Sequence, residues 1–139
     1  MSDPYDLHRF ETAQDGVYDS TLAELRAGRK TGHWMWFVFP QVAGLGMSAM
    51  SQRYAIASLD EARAYLGHPV LGPRLAECAG VLIGHNARTA DEIFGGIDAV
   101  KLRSSMTLFA RASDGDSVYQ AVLERYFGGV PDAATDARL

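Results

Sequence analysis

The segment Lys30-Thr-Gly-His33-Trp34-Met-Trp36-Phe-Val-Phe-Pro-Gln41 brings an ammonium, an imidazole, two indoles and a carboxamide into one short stretch. Each group suits a ligand site. Imidazole exchanges a proton near neutral pH and serves as a general acid or base. Indole rings sandwich planar ligands, and the Gln41 amide can bond a polar edge. The same residues are also ordinary core material, in which case His33 would bond a backbone group and both indoles would be packing.

A second constellation lies in Asp98-Ala-Val-Lys101-Leu-Arg-Ser104-Ser105-Met-Thr107. Asp98, Lys101 and Ser105 recur at spacings of three and four, so a helix puts them on one face. A lysine activates a serine hydroxyl only after desolvation removes its proton, and Asp98 opposes that by stabilising the ammonium. The plainer expectation is an Asp98–Lys101 pair, with Asp98 capping the helix N-terminus. Ser104, Ser105 and Thr107 either bond back to the preceding turn or line a polar pocket. The loop Gly44-Leu-Gly46-Met-Ser48 precedes a helix. Exposed amides there can cradle an anion, although the loop lacks the Lys-Ser/Thr ending of a phosphate-binding P-loop.

Other chemistries find little support. His8, His33, His68 and His85 are scattered without a two-ligand helical spacing, so no metal site is expected. No cofactor is expected either. The single cysteine, Cys78, can form neither an internal disulfide nor a cysteine-rich metal site. It sits in an apolar helical stretch and reads as a small buried residue rather than a nucleophile.

These residues need elements to hold them. A chain of 139 residues, 47% hydrophobic and 22% charged, has the length and composition of one globular domain. Its net charge of −4 argues against a nucleic-acid partner, which needs a basic surface. The start shows no secretory pattern, and no run approaches the roughly 20 apolar residues of a membrane span. A cytoplasmic protein without membrane contact is the expectation.

Apolar spacing gives helices over 4–14, 17–27, 49–57, 58–66, 69–85 (or from Gly72, because Pro73 sits near its start), 97–112 and 117–127, with a short element opened by Thr89 and Glu92. Ser48, Ser58, Thr89 and Ser117 are placed as N-caps. Gly28 and Gly128 are placed to end helices in the left-handed conformation. The segment around Trp36 is ambiguous. Extended, it would send Trp34 and Trp36 one way and His33 and Met35 the other; one helical turn fits equally. Pro40 ends it either way. The expected fold is all-α, with about six to eight short helices around one core and room for one short extended piece near Trp36. Residues 1–131 would form a single helical domain and 132–139 a frayed tail.

The chain resembles a bacterial family catalogued as domain of unknown function 1810, whose members are often mislabelled calpastatin. The resemblance rests on Leu7-His-Arg-Phe10 with Ala13-Gln14, on His33 through Gln41, on Gly44 through Ser48 with Tyr54-Ala-Ile56, and on Lys101-Leu-Arg-Ser-Ser-Met-Thr-Leu-Phe109. It implies a mainly helical fold and no established activity. The calpastatin label does not suit a compact chain that is 47% hydrophobic, because a disordered inhibitor is poor in apolar residues.

Together these segments suggest a small-molecule-binding protein or enzyme for a nucleotide-like or anionic metabolite. Trp34, Trp36, Gln41, Gly44, Gly46, Ser48, Asp98, Ser104 and Ser105 would bind the ligand. In an enzyme, His33 would move the proton and Lys101 would stabilise negative charge. The alternative is a non-catalytic interaction or self-association module, presenting the aromatic segment as an anchor. A third reading makes the motifs folding determinants only. Oligomeric state is left open.

Overall fold

A computed structural model describes residues 3–85, 88–113 and 117–139. Among them are ten helices: α1 (His8–Asp15), α2 (Tyr18–Ala27), α3 (Met35–Val38), α4 (Ala49–Arg53), α5 (Leu59–Gly67), α6 (Leu71–Gly84), α7 (Ala90–Phe94), α8 (Gly96–Ala112), α9 (Val118–Phe127) and α10 (Ala133–Asp136). The fold is all-α, as its periodicity predicts. The described residues hold no sheet, only an isolated bridge between Val42 and Ile56. The excess over the expected number comes from one-turn pieces. Among these, the Trp36 segment resolves as the single helical turn α3 rather than an extended strand.

Helix α8 organises the molecule. From Ser104 to Phe109 every residue is buried, because α5, α7, α9 and α10 all pack against it. Helix α6 packs against α2, α5 and α9. Rings interlock around this frame: Phe10 stands edge-on to Tyr65, which in turn meets Phe109.

Caps follow the sequence closely. Ser48, Ser58, Thr89 and Ser117 each accept the backbone N–H three residues ahead, and Thr89 with Glu92 completes a reciprocal box. Gly28 (φ 72°) and Gly128 (φ 63°) are left-handed caps. Glu61 departs from the box pattern. Its Oε1 accepts the N–H of Ala57 rather than of Ser58, and its Oε2 meets Arg9. Helix α1 begins at His8 rather than Pro4, with Asp3 accepting the N–H groups of Leu7 and His8. At the start of α6, His68 Nδ1 accepts the N–H groups of Val70 and Leu71, so Nε2 carries the proton and faces Glu11. That imidazole serves as a helix cap.

The tail expected to fray carries structure instead. Asp132 caps α10, Thr135 is buried against Ser104, and Arg111 forms two bonds with Asp136, at 2.9 and 3.0 Å. Local composition predicts fraying because it cannot register partners on a helix that ends 20 residues earlier.

Candidate functional site

Glu24 on α2 sets the geometry around the aromatic segment. Its Oε1 accepts the N–H groups of Thr31 and Gly32 and the indole N–H of Trp34, at 2.7, 2.8 and 3.0 Å. Burial pushes the Glu24 carboxyl up, but these donors outweigh it and hold it below the usual range. The loop before α3 is thereby tied to α2. Trp34 is 2% exposed and packs against Phe39 and Phe94. It is a core residue, which corrects its assignment as a ligand contact.

Trp36, two residues on, is half-buried and forms the wall shared by two lobes of a surface groove. The smaller lobe, about 380 Å³, lies between His33, Lys30 and the glycine pair that opens α8. The larger, about 590 Å³, lies between the 41–51 segment and the outer face of α8. Exposed apolar side chains rim it: Met47 is 88% exposed, Ile97 79% and Val100 61%.

Asp98 joins two ammonium groups at this groove. Lys30 Nζ lies 2.8 Å from Oδ2, and Lys101 Nζ lies 3.2 Å from Oδ1. Lys30 also donates to the Gly32 carbonyl at 2.6 Å and stands 5.1 Å from the Trp34 ring centre. Lys101 stands 4.6 Å from the Trp36 ring centre, within cation–π range. Burial alone would push the Asp98 carboxyl up; hydrogen bonds from Lys30 and Lys101 prevail and hold it low. Among the described residues Asp98 is the only acid lining either lobe. Two lysines against one aspartate leave one positive charge in excess. Among the described residues Lys101 keeps two N–H donors without a protein acceptor, since an ammonium has three and one meets Asp98.

The other expected residues divide. His33 is exposed, lines the small lobe and makes no hydrogen bond among the described residues. Gln41, Gly46 and Ser48 line the large lobe, but the Ser48 hydroxyl is engaged with Ser51. Gly44 lines neither lobe; a Cβ there would strike the Arg138 guanidinium. Its φ of 94° and the docked C-terminus explain the glycine, and the expected anion cradle is filled at that point.

Ser104 and Ser105 are buried away from the groove. Ser104 bonds Thr135, while Thr107 bonds back to the Arg103 carbonyl and accepts the Asp132 N–H. This hydroxyl patch receives the C-terminal segment rather than a ligand. Among the described residues the Ser105 hydroxyl has no partner and makes no bond with Lys101. Asp98 makes no cap, because Gly95 occupies that position; the carboxylate turns to the lysines instead. The sequence puts Lys30 in the candidate segment but gives it no contact, and it does not point to Met47, Ile97 or Val100 as lining. For Lys30 the missing signal is its partner, 68 positions away in the chain.

No group of three or more potential metal ligands occurs among the described residues. Cys78 is fully buried, and burial pushes its thiol up to about 12, so it is held as a neutral core thiol. No helix of the described residues is long and apolar enough to cross a membrane.

A family model described as "Protein of unknown function (DUF1810)" matches residues 4–139. Among solved structures, the conserved hypothetical protein Rv1873 from Mycobacterium tuberculosis is 57% identical, over 99% of this chain and 98% of that one, with a TM-score of 0.97. No curated protein matches.

Proposed function

The chain belongs to this family of unknown function, whose description assigns no activity, and we propose from the groove's geometry that it binds a small organic anion against Trp36. The observation that carries the reading is the charge arrangement. Two lysines are held by a single aspartate beside a half-exposed indole, in a groove whose lobes fall in the 300–1,000 Å³ range of small-ligand sites. Lys101 is the direct contact, having donors to spare. Lys30 is a positioning residue, since Asp98 and Gly32 already engage it. Binding is favoured over proton transfer because His33 lacks the orienting partner a general base normally has.

Calorimetric titration with benzoate tests this. Wild-type protein binds it with measurable heat, and Lys101→Ala weakens binding about ten-fold or more, the usual effect of removing a charged hydrogen-bond donor. Lys30 still holds Asp98 in that variant, so the fold survives, which circular dichroism checks. Equal affinity in wild type and Lys101→Ala would refute the reading.

A further inference from the structure

The larger lobe is amphipathic in a particular way. Lys101 brings its ammonium to the lining, with only one N–H engaged, by Asp98, among the described residues. The apolar part of its lining comes from Trp36, Leu45, Met47 and Val100. Met47 belongs to the loop before α4, and Val100 to the first turns of α8, so the apolar walls come from separate elements. A free phosphate or a sugar would leave them wet. Burying exposed apolar surface is the main favourable term available at such a place. The excess charge sets a further limit. One net positive charge is neutralised by a monoanion, whereas a phosphate monoester near −2 overfills it.

Resting on the anion-binding reading above, we infer that the ligand is an amphipathic monocarboxylate. Its carboxylate meets Lys101, and a flat apolar body, an aromatic ring system or its equivalent, lies along Trp36 against Met47 and Val100. The Gln41 amide, which also lines this lobe, bonds any polar substituent on that body. A second copy of the chain is a poor occupant, because a two-fold contact through this face brings the same excess positive charge together from both sides.

The test compares acetate, benzoate, 2-naphthoate, the neutral 2-naphthalenemethanol and phenyl phosphate by calorimetry, with sedimentation run in parallel. The structure predicts that naphthoate binds about ten-fold tighter than benzoate, from the apolar area its second ring buries. Acetate binds weakest. Naphthalenemethanol binds at least ten-fold more weakly than naphthoate, and phenyl phosphate no tighter than benzoate. The double variant Met47→Ser/Val100→Ser shrinks the naphthoate-to-benzoate ratio towards one; both side chains are exposed, so it folds. The inference is overturned if naphthoate gains nothing over benzoate, if the alcohol matches the acid, if phenyl phosphate is preferred, or if the protein is a dimer that the double variant dissociates. These failures leave the broader reading standing as long as benzoate binding still depends on Lys101. Loss of that dependence sinks both.

Discussion

Replacing Trp34 by alanine is expected to cost about 3–5 kcal/mol of folding stability, the usual range for a buried tryptophan, and to lower the melting temperature by about 10–15 °C for a domain of this size. Trp36→Ala is expected to cost only about 1 kcal/mol. The contrast follows from two residues of separation on one helical turn. Trp34 fills the space between Phe39 and Phe94, and its N–H is one of three donors on Glu24 Oε1. Removing it opens a cavity and loosens the loop that carries His33. Trp36 has a groove in front of it. Thermal melts of the two variants side by side check this; equal losses would mean that both indoles are core and that the groove lacks its wall.

The second large effect lies far from the groove. Arg9 uses all five of its N–H donors: to the carbonyls of Tyr5, Asp6, Arg53 and Ala55, and to Glu61 Oε2 at 3.1 Å. The Glu61 side chain is 4% exposed. Arg9→Ala leaves that carboxylate inside the protein with, among the described residues, only the Ala57 N–H as its donor. Removing one partner of a buried pair typically costs about 3–5 kcal/mol. Arg9→Lys recovers only part of this, since an ammonium cannot reproduce the planar fork. Urea unfolding of both variants gives the numbers, and a loss under about 1 kcal/mol for Arg9→Ala would show the pair to be an ordinary surface bridge.

These two residues also mark what the sequence discloses. Local rules carry far: Ser48, Thr89 and Ser117 cap where their types and spacing place them, and Gly28 and Gly128 turn left-handed where helices must stop. The Trp34–Trp36 pair defeats periodicity because four residues complete barely one turn, too few to separate a period of 2 from one of 3.6. Glu61 looks like a capping-box member, yet its second oxygen is claimed by Arg9, 52 positions earlier. Ser104 and Ser105 look like a polar pocket because nothing local announces that Thr135 will dock on that helix. Lys101 and Asp98 are legible as a pair at a spacing of three. That Lys30 joins them, and that Trp36 stands beside them while Trp34 does not, depends on how α3 is seated against α8. The chemistry-bearing types are therefore visible in the chain, and their sorting into core and groove is tertiary.

The most direct test uses the two indoles themselves. A ¹⁵N-labelled sample gives one indole N–H signal for each tryptophan, assigned through Trp34→Phe and Trp36→Phe. On titration with benzoate, the Trp36 signal is predicted to move saturably, the Trp34 signal to stay, and Lys101→Ala to abolish the movement. A Trp36 signal that never moves, or moves equally in Lys101→Ala, would contradict an anion site built on this groove.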